Sequence, residues 1–179
     1  MALKSGKITG LDINPRTYKR VEKFLDSVST SGGAFYGYMD PPRRKMADAR
    51  TAVGLLCRMY MGWNKDTPGI VDGVNAMASR GPDTSKGPNM YYNYYATQVM
   101  KHIGGRTWND WNVKMRDFLI ESQEKEGAAA GSWTPGNGHA EEKGGRLYTT
   151  SLSCMTLEVY YRYLPLYSDK AASDEFPLE

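Results

Sequence analysis

The sequence predicts an all-α chain built from tandem helical hairpins, and three observations support this fold class. Apolar residues recur at helical spacing along most of the chain, strand signals are nearly absent apart from "GKITGLDI" near the start, and two distant segments are similar to each other. We place the helical domain at 15–167, after a leader at 1–14. A C-terminal tail follows at 168–179, and its Leu-Glu ending is typical of an expression-tag remnant.

The internal repeat pairs an early hairpin with a late one. In each copy an amphipathic helix is followed by a loop of small residues that closes on a Gly-x-aromatic triplet. The same number of residues then separates Phe35 from Thr51 and Trp133 from Thr149, and an apolar second helix begins at each threonine. This matched spacing predicts that the two segments fold alike.

A middle hairpin fits between these two copies. Its first helix is predicted in "TPGIVDGVNAMASRG", with Pro68 near the N-terminus, and its second in "NMYYNYYATQVMKHIGG", which Gly104 and Gly105 end. First helices have one polar face, whereas second helices are apolar nearly all round. A polar outer helix paired repeatedly with an apolar inner helix indicates concentric layers, as in an α/α toroid or an α-solenoid.

One stretch of the third hairpin, "RDFLIESQEKEGAAAGSW", resembles the QW motif of the superfamily of terpene (squalene) cyclases and protein prenyltransferases, which are α/α toroids. The matching positions are Arg116, Phe118, Leu119, Ile120, Gln123, Gly131 and Trp133. The resemblance implies that Gln123, Gly131 and Trp133 tie successive outer helices together. The first hairpin keeps only Gly33 and Phe35 of the motif. Three hairpins form only an arc of a toroid, so the resemblance also implies a protein partner or the missing half of a ring.

The catalytic groups of that superfamily have no counterpart in this sequence. There is no Asp-x-Asp-Asp motif, and neither Cys57 nor Cys154 has an aspartate two residues away, as the prenyltransferase zinc site has. We therefore expect no catalytic residue, metal ligand or cofactor in this chain. Both cysteines are predicted to be small core residues, and His102 and His139 are predicted at the surface.

Charge and hydropathy narrow the classes of partner. The chain has 23 Lys and Arg against 20 Asp and Glu, a net charge of +3, which gives no reason to expect nucleic acid. It has no apolar run long enough to predict a membrane span. No cellular compartment follows from the sequence.

The 13 tyrosines are the remaining functional signal. Their rings either pack between helices or line a concave surface, and both interpretations stay open. The candidates for ligand contact are Tyr36, Tyr92, Tyr95 and Tyr148. We expect a non-catalytic binding domain of a larger protein, with an aromatic concave face for a protein or a hydrophobic small molecule. The alternative is a fragment of an isoprenoid cyclase or prenyltransferase-like enzyme whose catalytic residues lie outside this chain.

Overall fold

The computed structural model describes residues 1–136 and 138–162, so the predicted tail at 168–179 lies outside the described residues. That part of the chain contains seven α-helices, two short strands and one 3-10 helix: α1 (Ala2–Ile8), α2 (Pro15–Ser27), β1 (Ser29–Thr30), β2 (Phe35–Tyr36), α3 (Ala49–Tyr60), α4 (Pro68–Arg80), α5 (Met90–Ile103), α6 (Gly105–Ser122), the 3-10 helix (Gly127–Ala129) and α7 (His139–Arg162). The prediction of an all-α chain is confirmed. None of the described helices is both long and apolar enough to cross a membrane.

The order of the helices follows the predicted hairpins. The pairs α2 and α3, α4 and α5, and α6 and α7 lie at the three predicted places. Pro68 is the first residue of α4, where its missing N–H costs little. Gly104 ends α5 with a φ of 73°, a left-handed conformation that glycine adopts without a steric penalty.

The strand signal near the start is wrong. Its first three residues, Gly6 to Ile8, end α1 instead, and the rest forms a turn and irregular backbone in which Gly10 has a φ of 79°. The helix is tied to α2 by the Tyr18 hydroxyl, which donates to the Leu3 carbonyl oxygen at 3.1 Å. The two observed strands lie in the loop after α2 and pair antiparallel.

The described residues fall into two compact units, Met1–Met77 and 78–162. The first unit has Tyr36 at its centre, packed on Gly54 so closely that a Cβ there would lie 2.3 Å from the Tyr36 ring. Arg58 is buried beside it: its Nε donates to the Tyr36 hydroxyl at 3.1 Å, and its Nη2 pairs with Asp26. Because a buried guanidinium is costly unless it is paired, this cluster fixes how α2, β2 and α3 meet.

The second unit is organised around α5, which packs against both α6 and α7. Most of α5 is buried, as its apolar pattern predicted. The Trp111 indole of α6 donates to the Thr97 hydroxyl of α5 at 2.9 Å, and its ring meets the Tyr92 ring edge-on at 6.1 Å between centroids. These contacts hold α6 in place along α5.

Helix α7 is interrupted at Gly145, whose φ of 59° and ψ of −155° are not helical. The segment before this kink carries Glu141, which is buried. Its carboxylate accepts a hydrogen bond from the Met90 backbone N–H at 3.2 Å, at the first residue of α5. The start of α7 thus supplies an acceptor to the free N–H groups at the start of α5.

Candidate functional site

The side chains of the QW-like motif form hydrogen bonds within the third hairpin. The indole Nε1 of the buried Trp133 donates to the Leu119 carbonyl oxygen at 2.8 Å, and the Gln123 amide donates to the Gly131 carbonyl oxygen at 3.0 Å. Both bonds fasten the loop to the end of α6, where helix carbonyls lack helical partners. The motif glycine has a φ of 83°, almost the same as the 86° of Gly33 in the first copy.

A second bond of this loop is repeated in the first hairpin. The Trp133 backbone N–H donates to the Thr150 hydroxyl at 3.2 Å, and the Tyr36 backbone N–H donates to the Thr51 hydroxyl at the same distance. Judged by this hydrogen bond, the residue of the first hairpin that is equivalent to Trp133 is Tyr36, one position after the predicted Phe35. The threonine of the third hairpin is likewise one residue beyond the predicted position. Phe35 is itself buried in β2.

The four tyrosines proposed as ligand contacts fall into two groups, of which the first is buried. Tyr36 and Tyr92 are 2% and 0% exposed. The hydroxyl of Tyr36 accepts from Arg58, and that of Tyr92 donates to the Gly81 carbonyl oxygen at 3.1 Å. The guanidinium of Arg80 lies 4.1 Å from the centre of the Tyr92 ring. These positions favour the packing interpretation for Tyr36 and Tyr92.

The second group, Tyr95 and Tyr148, belongs to a partly exposed aromatic surface on α5 and α7. The rings of Tyr91 and Tyr95, one helical turn apart, pack with their planes tilted by 58° and their centroids 4.7 Å apart, and Leu147 is 80% exposed. We call Tyr91, Tyr95, Leu147 and Tyr148 the tyrosine face. The Tyr148 hydroxyl oxygen is buried and has no hydrogen-bond partner among the described residues. The face therefore combines partly exposed rings with one buried hydroxyl that no described residue pairs.

The surroundings of Tyr148 keep its hydroxyl protonated. Burial raises the pKa of Tyr148, and the nearby Glu141 and Tyr91 raise it further. Gly144 makes room for this side chain, because a Cβ at that position would lie 2.5 Å from the Tyr148 Cβ. Tyr148 is thus held as a neutral hydrogen-bond donor.

A cavity of about 240 Å³ lies elsewhere in the same unit, and we call it the Trp133 cavity. Its apolar lining includes Phe118 and Trp133, and its polar lining includes Lys86 and Ser153. Sequence reasoning missed Lys86 and Ser153. Lys86 lies in a loop that reads only as a hairpin connection, and nothing local marks Ser153 as a cavity residue. Only the packing of α7 against this loop and α6 brings the two to one cavity.

Two expectations about single residues are wrong. Cys154 is exposed on α7, although its apolar neighbours suggested the core, whereas Cys57 is half-buried and burial raises the pKa of its thiol. His102 is buried in α5, and burial, followed by the charge of Lys101, lowers its pKa to about 4. The His139 side chain lies outside the described part. Across the described side chains, no group of three or more His, Cys, Asp and Glu could hold a metal ion.

The chain was compared with protein families, with curated proteins and with solved structures. No protein-family model, curated protein or solved structure matches the chain. The resemblance to the cyclase and prenyltransferase superfamily therefore stays a prediction.

Proposed function

We propose that this chain is a binding domain whose tyrosine face takes a hydrophobic small molecule or an apolar segment of a partner protein. One observation carries the proposal: the Tyr148 hydroxyl is buried without a partner beside exposed rings. A buried hydroxyl left unpaired costs about 1–3 kcal/mol, so an occupant that accepts its hydrogen bond gains a specific attraction. The rings of Tyr91 and Tyr95 add apolar area for the body of the same occupant.

The first test is native mass spectrometry of the purified chain. We expect a bound mass that leaves on harsher activation, and weaker retention in Tyr148→Phe and Tyr95→Ala. Tyr38, which is 76% exposed in the other unit, supplies the matched controls Tyr38→Phe and Tyr38→Ala. Equal retention by all five proteins would contradict the proposal, because the occupant would then lie elsewhere.

The other outcomes separate the two classes of occupant. A bare monomer would contradict the small-molecule form and favour a protein partner. A bare dimer would indicate that two copies complete each other, and Tyr95→Ala should then dissociate it. A dimer that survives Tyr95→Ala would rule out the tyrosine face as its contact.

We further propose that the helical hairpins form part of an α/α toroid, completed by a partner or by further hairpins of a longer protein. The motif at Gln123, Gly131 and Trp133 and its partial copy at Gly33 support this proposal. An experimental structure with second helices in an inner layer and first helices in an outer layer would agree with it, and a superhelical stack would contradict it. The alternative of a cyclase or prenyltransferase fragment rests on the resemblance alone.

A further inference from the structure

The Trp133 cavity is a second candidate site, separate from the tyrosine face. All of its lining residues belong to the unit 78–162, and they come from the loop before α5 and the first residue of α5, from α6, from the loop before α7 and from α7 itself. Its apolar lining consists of Pro88, Met90, Phe118 and Trp133. A volume of about 240 Å³ equals roughly eight water molecules at their volume in the liquid, which is below the range of drug-sized pockets. The cavity is thus suited to a compact molecule with a single ring.

Three of the hydroxyls that line the cavity are already donating within the protein. Ser122 donates to the Phe118 carbonyl oxygen at 2.7 Å, Thr149 donates to the Gly145 carbonyl oxygen at 3.3 Å, and Thr134 donates to the Glu124 carboxylate. These three hydroxyls complete local structure, so their protons are not available to a ligand in the cavity.

Ser153 differs from these hydroxyls. It is 0% exposed, and its Oγ has no hydrogen-bond partner among the described residues. A fully buried hydroxyl is normally bonded to protein, to water or to a ligand. Since Ser153 lines the cavity, its missing partner is expected inside the cavity.

Lys86 is the one charged residue in the cavity lining. It forms no ion pair within the described residues. Two nearby carboxylates are already engaged: Asp83 accepts the backbone N–H groups of Ser85 at 3.2 Å and Asn89 at 3.0 Å, and Glu124 accepts the Thr134 hydroxyl. The bonds of Asp83 also hold the loop that carries Lys86. Lys86 is exposed, and its ammonium group is therefore available to pair with an anion in the cavity.

We propose that the Trp133 cavity binds a small organic anion, a carboxylate or a phosphate ester with a compact apolar body. The anionic group pairs with Lys86 and accepts a hydrogen bond from Ser153, because a charge-assisted bond to a lysine is the strongest polar contact this lining offers. The apolar body lies against Trp133 and Phe118. No carboxylate lines the cavity to repel such a ligand.

The test uses the full chain, with three probes of similar size: benzoate, phenyl phosphate and the neutral benzyl alcohol. Binding is followed by NMR through the Trp133 indole N–H signal. We expect the two anions to shift this signal and benzyl alcohol to bind at least about tenfold more weakly, as the loss of one charged hydrogen bond implies. The absence of any shift would mean that the cavity holds water only, and it would overturn the proposal.

Variants separate the polar contacts from general packing. Lys86→Met is expected to weaken benzoate binding about tenfold or more. Lys143→Met is the matched control, because Lys143 is exposed in the same unit and does not line the cavity. Equal affinity of Lys86→Met and the unsubstituted chain, or equal affinity for benzoate and benzyl alcohol, would overturn the anionic class of ligand.

Ser153→Ala tests the second contact and has two readouts. It should weaken benzoate binding several-fold, while the melting temperature of the free protein stays the same or rises, because an unpaired buried hydroxyl has been removed. A clear fall in the melting temperature would mean that the hydroxyl has a structural partner, which would overturn its role as a ligand contact. Tyr95→Ala should leave benzoate affinity unchanged, so failure here is distinguishable from failure at the tyrosine face.

Discussion

Trp133 and Leu119 are joined by a 2.8 Å hydrogen bond from the indole Nε1 to a carbonyl oxygen in the last turn of α6. The bond connects a loop residue to a helix end whose carbonyls have no partners within the helix. It explains why a large aromatic residue follows a loop of alanines and glycines: the ring is buried, and its one polar group bonds a free carbonyl at the end of the helix.

Trp133→Phe should therefore cost stability beyond the loss of ring area. The substitution leaves the buried Leu119 carbonyl without its partner, and we expect about 1–2 kcal/mol of additional destabilisation. The control is Trp108→Phe, because Trp108 is also buried but its indole N–H donates no hydrogen bond within the described residues. Equal losses for the two variants in urea unfolding would contradict the role of the hydrogen bond.

Gly54→Ala should be strongly destabilising. The new methyl would lie 2.3 Å from the Tyr36 ring, so either the ring or α3 has to move, at a cost of about 1–3 kcal/mol or more. Gly6→Ala in α1 is the control, since its nearest contact is the mobile end of Ile13 at 3.1 Å. Thermal unfolding should show a clear fall only for Gly54→Ala, and a similar effect of both variants would refute this account of the packing.

The two partners in the Arg58 cluster should contribute unequally. Arg58→Met leaves the buried Tyr36 hydroxyl unpaired and is expected to cost about 1–3 kcal/mol. Asp26 is 64% exposed, and the side-chain oxygen of an asparagine can still accept the Arg58 hydrogen bond, so Asp26→Asn is expected to cost less than Arg58→Met. Denaturant titrations of both variants measure the difference. The opposite order would mean that the ion pair, and not the bond to Tyr36, holds the cluster.

His102 should make stability fall in mild acid. Its pKa in the folded chain is about 4, below the ordinary value of 6.5, so the unfolded chain binds the proton more readily. Its contribution is fully present above pH 6.5 and is lost as the pH falls toward 4, by up to about 3 kcal/mol. The free energy of unfolding of His102→Gln should depend less on pH in this window. An unchanged slope would indicate that His102 is protonated without unfolding.

The helices can be predicted from the sequence because the residues at their ends have backbone preferences that do not depend on tertiary contacts. Pro68 and Gly104 mark helix ends through their own backbone preferences, whatever the rest of the chain does. The strand prediction around Lys7 and Ile8 fails because a short apolar stretch before a glycine is compatible with a strand as well as with the helix that forms. Its contact with Tyr18 is tertiary and has no signal in the segment itself.

The sites were less predictable because they depend on which side of a helix a residue occupies after packing. Tyr92 and Tyr95 lie in one run of tyrosines, yet one is buried against Gly81 and the other lies on the tyrosine face. The Ser153 hydroxyl lacks a hydrogen-bond partner among the described residues, and this depends on which groups surround it in the folded chain. The internal repeat located the two equivalent loops. It placed the aromatic residue of the first hairpin at Phe35 and the threonine of the third at Thr149, each one position before the residue that makes the repeated hydrogen bond.

The hydrogen bond between the Met90 backbone N–H and the Glu141 carboxylate couples hydrogen exchange at the start of α5 to the opening of α7. The backbone N–H of Met90 lies at the start of α5, but its acceptor comes from the part of α7 before the Gly145 kink. When that part of α7 opens, this amide loses its acceptor even though the rest of α5 stays folded. Deuterium uptake at Met90 should therefore report the opening of α7, a segment about fifty residues further along the chain.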